Sequence, residues 1–376
     1  MYTRLVKHFS VLEDPRCAGK VLHRLIDILV IAVCAVVAGA ESWEDIELYG
    51  KEKKDWLATF LGLQNGIPSH DTFRRLFMII NPDAIEHCFL EWVASFSSVE
   101  QREVVAIDGK TLRRSFDASK EQKPFHLLSA FSTRRGIAIG QRKVDGKSNE
   151  ITAIPELLDS LNLKGSIITI DAMGCQRAIA EKIIAQGADY ILALKGNQKR
   201  MHEAVQSYCA ERCFRVGSSL RPTVDYFDES HGRLVRRRAF VCPDACHLPA
   251  LQQWHGLRQV LAVETIRHVA NQDKTRCEIR YFLSSCNDSV AQQIRAIRSH
   301  WGIENRLHWV LDMSFREDEC RIRESNSARC FAILRKIALN LIRQDSTSRN
   351  SIRAKRKKAG WSNDYMDSIL FGKFRA

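Results

Sequence analysis

SIITIDAMG, residues 166–174, sets four residues of high strand preference in a row, Ile167, Ile168, Thr169 and Ile170, and then stops on Asp171. A short β-branched apolar run of this kind reads as a strand buried on both faces. A carboxylate is costly to bury without a partner, so an acid ending such a strand needs a reason. VVAIDGK, residues 104–110, repeats the pattern, with Val104, Val105, Ala106 and Ile107 leading to Asp108. One such acid is a turn or a cap. Two predict that both carboxylates are delivered to the same end of a sheet.

The surrounding chain supports that reading. From about 101 the apolar period predicts strands at 103–108, 126–132 and 137–144, a helix at 151–161, the strand 167–171, a helix at 176–186 and the strand YILALK, 190–195. This order suits an RNase H-like mixed sheet, α/β in class, whose first and fourth strands lie side by side. In that arrangement Asp108 and Asp171 are neighbours.

The segments on either side have a different texture. Residues 1–98 read as all helical: a long apolar segment at 22–37, a helix capped by Ser42 with Asp45 as its acidic partner, and a short helix opened by Ser69. The capped helix is expected to carry Trp43, Ile46, Leu57, Phe60 and Leu61, and the short one presents Arg74 and Arg75 on its polar side. A turn followed by a basic helix can enter a DNA groove, and it is also an ordinary part of a helical bundle. Residues 200–288 predict a small β-rich insertion, with Arg236, Arg237 and Arg238 giving it a basic surface. Helices resume over 289–345, and the basic run within 346–376 is expected to be a mobile tail. The core is therefore expected in two parts, 101–199 and 289–345.

Composition narrows the partners. The 376 residues carry 57 Lys+Arg against 44 Asp+Glu, a net charge of +13, which biases the chain toward polyanions, nucleic acid first and anionic membrane surfaces second. A cationic soluble enzyme is the plainer alternative. The N-terminus has no secretory apolar region, and the longest apolar run, 28–40, falls short of the roughly 18–20 residues that span a bilayer. The expectation is a cytoplasmic protein, off the membrane, whose 12 Cys stay reduced. Cys209/Cys213 and Cys242/Cys246 show C-x3-C spacings, but Pro243 interrupts the second pair and nothing completes a strong zinc pattern.

Two aspartates are too few to hold a catalytic pair of cations. Clustered carboxylates repel and lose hydration unless cations neutralise them. An all-oxygen donor set favours Mg2+ or Mn2+, and two such ions about 4 Å apart can act on a phosphodiester from both sides. The best third acid lies in HWGIENRLHWVLD, 300–312, on a helix predicted over 289–311. Glu304 sits between Trp301 and Trp309, expected to pin it to the core. His300, Glu304, His308 and Asp312 are each four apart, a ladder that drifts by about 40° per step at 3.6 residues per turn, so all four cannot ligate one ion. The same ladder is compatible with simple Glu–His and Asp–His hydrogen bonds, or with a His/carboxylate metal site on that helix alone.

These stretches also resemble a known family. HRLIDILVIAVCAVVAGAESWEDI, GIPSHDTFRRLF, AIDGKTLR, NEITAIPELLD, TIDAMGCQ, DYILALKGNQ and SHWGIENRLHWVLDMSFREDECRIR, in this order along nearly the whole chain, resemble the DDE-type bacterial insertion-sequence transposases, in the group that includes the H-repeat-associated proteins of Rhs elements. The resemblance implies an RNase H-like catalytic core with a β insertion between the second and third acids. It implies an acidic triad at Asp108, Asp171 and Glu304 holding two Mg2+ ions, with Mn2+ as substitute. Cleavage at the element's terminal inverted repeats and transfer of the 3′-hydroxyl into target DNA would follow, by a bacterial, nucleoid-associated homo-oligomer with no small-molecule substrate. The chain departs from the Tyr/Arg/Glu/Lys pattern of related transposases: Ile297 and His300 stand where Tyr and Arg would be, and Leu311 where Lys would be. That departure puts a hairpin-forming route in doubt.

Other residues have smaller roles. Lys110, Arg113 and Lys195 are candidates for DNA phosphates, with solvated strand-end bases as the alternative. Asn197 and Gln198 are turn residues that could touch DNA. His300, His308 and Asp312 are possible supports of the acids. Glu317 and Asp318 read as surface acids, and Asp117, Asp145 and Asp159 as loop or cap residues. A nuclease that stops at hydrolysis, and a domesticated DNA-binding protein without chemistry, are the competing readings.

Overall fold

The computed structural model describes residues 2–116, 123–144, 150–218, 220–230, 233–269 and 274–372. Asp117, Asp145 and the tips of the two polar turns in the 200–288 segment lie outside the described residues. Helices α1 (Tyr2–Phe9), α2 (Leu25–Ala38), α3 (Trp43–Glu52), α4 (Lys54–Leu57), α5 (His70–Ile79) and α6 (Pro82–Ala94) make up the N-terminal part. Nearly every residue of α2 is buried, as expected of a helix apolar all round. The one acid among them, Asp27, is held by Arg24 through bonds of 2.7 and 2.8 Å. No single described helix is long and apolar enough to cross a membrane.

The predicted caps are present: Ser42 and Asp45 form a capping box, and the Ser69 hydroxyl accepts from the Thr72 N–H. The helix expected to run from Trp43 past Leu61 instead ends at Glu52, and a break at Lys53 leads into α4, with Leu57 and Leu61 turned into the core.

One mixed sheet organises the rest. Its strands are β1 (Val104–Thr111), β2 (His126–Ser132), β3 (Ile137–Val144), β4 (Ile167–Ile170), β5 (Asp189–Leu194), β6 (Val224–Ser230), β7 (Arg233–Cys242), β8 (Gln259–Val269) and β9 (Lys274–Ser284). Their order is β3-β2-β1-β4-β5-β9-β8-β7-β6, so the first and fourth strands are neighbours as the sequence suggests. The 200–288 segment does not build a sheet of its own: β9 pairs antiparallel with β5 and carries the sheet onward. Nor does β1 stop at Asp108, because Gly109, Lys110 and Thr111 continue to pair with β2.

Helices α7 (Glu150–Asp159), α8 (Arg177–Ala185) and α9 (Lys199–Cys209) follow β3, β4 and β5, and α10 (Val290–Ile303) and α11 (Trp309–Phe315) follow β9. The long α12 (Ser325–Gln344) packs against β3, α2 and α6, so the N-terminal helices share a core with the sheet. The basic run expected to be a loose tail folds as α13 (Ile352–Trp361) and α14 (Asn363–Phe371) against α2 and α12. Two of its charges are absorbed locally, while Arg353, Lys357 and Lys358 stay exposed: Arg356 donates to the Val36 carbonyl at 2.9 Å, and Lys355 to the Asp345 carbonyl at 2.8 Å.

Candidate active site

Parallel pairing of β1 with β4 sets Ile107 opposite Ile170, so Asp108 and Asp171 take the next position on neighbouring strands. Side chains alternate across a strand, which puts Ala106, Asp108 and Lys110 on one face of β1, toward α10. Thr169 of β4 shares that face, with its hydroxyl 3.0 Å from His300 Nδ1 on α10. The two acids thus reach one cavity at the edge of the helix-covered face.

The predicted single helix over 289–311 is interrupted. Between α10 and α11, Glu304–His308 form a π turn. A turn wider than 3.6 residues takes back the drift of an i, i+4 ladder, and such turns recur at functional sites. All four ladder residues therefore face the sheet. His300 meets Thr169, Glu304 lines a cavity with the aspartates, His308 Nδ1 lies 3.4 Å from Asp108 Oδ2, and Asp312 pairs with Lys110. The π turn is anchored from the β2–β3 connection, where Arg306 donates to the Thr133 carbonyl at 2.7 Å. Gly136 takes the left-handed φ of +73° that glycine favours, and a Cβ there would displace the Arg306 guanidinium. Arg343 of α12 donates to the carbonyls of Gly136 and Arg306, closing the clamp.

Asp108, Asp171 and Glu304 line one cavity of about 450 Å³, with Lys195 and His300. Asp171 is held above the usual aspartate range: burial is the main cause, and the charges of Glu150 and Asp108 add to it. His300 is pushed down by desolvation, against the pull of Asp108, Asp171 and Glu304. Among the described residues neither Asp171 nor Glu304 has an ion-pair partner, and Asp108 has His308. Three carboxylates around one cavity are an all-oxygen donor set of the kind that hard divalent cations take.

Several predicted residues are placed differently. Lys110 is not free for DNA. Its ammonium is enclosed by Asp312, Glu317 at 2.8 Å and Asp318 at 3.6 Å. Glu317, read as a surface acid, is 3% exposed. Burial opposes its ionisation, but Lys110, Lys336 and Arg335 together outweigh this and hold the carboxyl at about 2. Arg236, Arg237 and Arg238 do not form an open basic face, because each is paired, with Asp225, Asp228 and Glu264 respectively. Trp301 and Trp309 are exposed beside Glu304 rather than buried against the core, and the Arg280 guanidinium lies 5.8 Å from the Trp301 ring. Asn197 and Gln198 donate to the carbonyls of Ala172 and Cys175, tying the turn after β5 to the turn after Asp171. Lys195 is exposed at the cavity, and Arg113 is exposed with Asp318 at 3.2 Å. Arg74 and Arg75 are exposed on α5, away from these contacts, Arg74 bonded to Asp71.

Glu150 and its partner His126 were missed by the sequence reading. Glu150, at the start of α7, accepts from His126 Nε2 at 2.6 Å and is the leading charge felt by Asp171. A Cβ on Gly109 would run into both partners of that pair, so a larger residue after Asp108 would have to displace them. NEITAIPELLD contains Glu150, but nothing in its spacing singles out the acid.

With this geometry in place, comparison with known proteins is direct. Residues 100–341 match the family described as "Transposase DDE domain", and residues 6–93 match its companion, "DDE_Tnp_1-associated". The chain is 42% identical to "H repeat-associated putative transposase YhhI" of Escherichia coli (strain K12) over 98% of each chain. It is 42% identical to "Putative transposase YncI" of Escherichia coli O157:H7, over 97% of this chain and 94% of that one. The structure of a piggyBac transposase synaptic complex with hairpin DNA aligns over 99% of this chain and 78% of its own, at 11% identity and a TM-score of 0.41. The chain belongs to the DDE transposase family, in the group of the H-repeat-associated proteins of Rhs elements.

Proposed function

We propose that this protein cleaves DNA at the terminal inverted repeats of an insertion sequence and joins the resulting 3′-hydroxyl to target DNA. The observation that carries the proposal is the in-register pair Asp108 and Asp171 on adjacent parallel strands, with Glu304 lining the same cavity from a π turn opposite. The order β3-β2-β1-β4-β5 supports an RNase H-like core, extended by β6–β9. Membership of the transposase family supports DNA as the partner.

In this reading Asp108, Asp171 and Glu304 hold two divalent cations, Mg2+ or Mn2+, which when bound supply Lewis acidity to both sides of the scissile phosphodiester. The chain's own groups do the rest. His308 orients the Asp108 carboxylate. Lys110, locked by Asp312 and Glu317, fixes the end of β1 so that Asp108 cannot swing away. Lys195 at the cavity, and Arg113 beyond it, neutralise backbone phosphates and align the strand. Arg74 and Arg75 on α5 contact the element end from a separate surface. Hydrolysis first frees the 3′-hydroxyl, and that hydroxyl then displaces a target 3′-oxygen. One phosphodiester is exchanged for another, so no covalent protein–DNA bond is required. Pairing two element ends calls for a homo-oligomer on DNA.

The test is strand transfer of pre-cleaved element ends into supercoiled plasmid with Mg2+ or Mn2+. Joined products support the proposal. Nicked plasmid alone would reduce the protein to a nuclease, and a mobility shift without product to a DNA-binding protein.

A further inference from the structure

Sequence spacing set zinc aside, yet the fold brings three of the four suspect thiols to one point. Helix α9 ends at Cys209, and a π turn, Ala210–Phe214, keeps Cys213 on the same side. Strand β7 ends at Cys242. The Cys242 sulfur lies 3.5 Å from that of Cys209 and 3.4 Å from that of Cys213, and all three sulfurs fall within 4.8 Å of one another. All three residues are buried, and none is in a disulfide.

We infer that Cys209, Cys213 and Cys242 form a structural site for one thiophilic d10 cation, zinc above all, separate from the acidic cavity. Tetrahedral bonds of about 2.3 Å place neighbouring sulfurs roughly 3.8 Å apart, so this trio is already near coordination spacing. A disulfide needs sulfurs about 2.05 Å apart and would leave the third thiol over. Binding replaces three S–H protons, released to water, by three Zn–S bonds. The fourth position is left to water or to Cys246, which is half-buried in the turn Pro243–His247 that follows Cys242. Soft sulfur donors select such an ion against Mg2+, so the two sites do not compete for metal.

The clasp has a clear mechanical consequence. It joins α9, which starts just past the cavity residue Lys195, to β7, which lies three strands beyond β5 in the sheet order. The ion would therefore tie the β6–β9 extension to the catalytic half of the sheet.

The full chain, purified without chelator or affinity metal, is predicted to carry about one zinc per chain by elemental analysis, released when a mercurial blocks the thiols. The Cys209→Ser/Cys213→Ser variant should lose it. Because buried serines can unfold the chain, a second measurement uses the wild type. Exchange with Co2+ should give thiolate-to-cobalt charge-transfer absorption and the intense visible bands of a tetrahedral ion. A metal-free chain in which all 12 thiols titrate, or one with a disulfide among these three, overturns the inference. Neither result bears on the acids, since the readouts are metal content and spectra rather than DNA cleavage.

Discussion

Nδ1 of His308 lies 3.4 Å from Oδ2 of Asp108, although 200 positions separate them along the chain. The contact exists because the π turn starting at Glu304 brings His308 back toward the sheet. A histidine so placed steers a ligand carboxylate, and losing such a partner typically costs about 10–100-fold in metal affinity or activity. His308→Ala is expected to reduce cleavage in that range while DNA binding in a mobility shift stays unchanged. His308→Gln, which keeps a donor in reach, should recover part of the loss. Equal weakening of DNA binding would assign His308 to the interface instead.

The raised pKa of Asp171 makes two opposite predictions for one residue. Burial and the charges of Glu150 and Asp108 favour its protonated form, so ionisation of Asp171 destabilises the metal-free fold. That cost is absent below the ordinary value near about 3.9 and is fully present once pH exceeds the raised value. At neutral pH Asp171→Asn should therefore raise the melting temperature of the metal-free protein while abolishing cleavage. Thermal melts with EDTA and a cleavage assay decide it. Destabilisation by Asn would show that the carboxylate is already satisfied by the protein.

Protons and divalent cations compete for the same oxygens. Mn2+ affinity should rise with pH through the raised range of Asp171 and then level off. Calorimetric titration at several pH values checks this. An affinity independent of pH, from the usual aspartate range upward, would remove Asp171 from the ligand set.

Glu317 anchors Lys110, and Lys336 is close enough to help hold its charge. Glu317→Gln takes a counter-charge from the buried Lys336 and Arg335 and leaves Lys110 to Asp312 and Asp318, and should cost about 3–5 kcal/mol, read by urea unfolding. The carboxyl is depressed to about 2, so its stabilisation is complete above the ordinary value near about 4.3 and fades as pH falls toward about 2. The wild type should therefore lose more stability than the variant on acidification. Parallel acid-unfolding curves would contradict the network.

Arg356 closes the C-terminal helices onto the body, donating to Val36 and Ser314 carbonyls with its guanidinium 4.0 Å from the Phe315 ring. Limited trypsin digestion should spare Lys355 and Arg356 in the native chain. Arg356→Ala should expose α13 to cleavage. Early cutting of the wild type there would restore the mobile tail.

Most of this site was legible where the information is local. The runs ending at Asp108 and Asp171 announce strands through β-branched residues, and their matching ends announce a shared sheet edge. Ser42 and Ser69 announce helix starts in the same way. What was hidden depends on partners far along the chain. The π turn is held by Arg306 and Arg343 reaching the β2–β3 connection, so helical periodicity alone could not reveal it. Lys110 looked available because Glu317 lies 207 positions away. Arg236 to Arg238 looked like a basic patch because the acids that neutralise them sit on neighbouring strands. Lys355 and Arg356 looked as solvated as the rest of their basic run because their acceptors are backbone carbonyls, which every sequence has.

Replacing Mg2+ by Fe2+ and generating hydroxyl radicals locally cuts a polypeptide only beside the bound ion, which reads out convergence without relying on DNA chemistry. Cuts are expected near Asp108, Asp171 and Glu304 together, suppressed by excess Mg2+ and lost in Asp171→Asn. Cuts confined to the two strands, with the helix carrying Glu304 untouched, would mean that the third acid never joins the site.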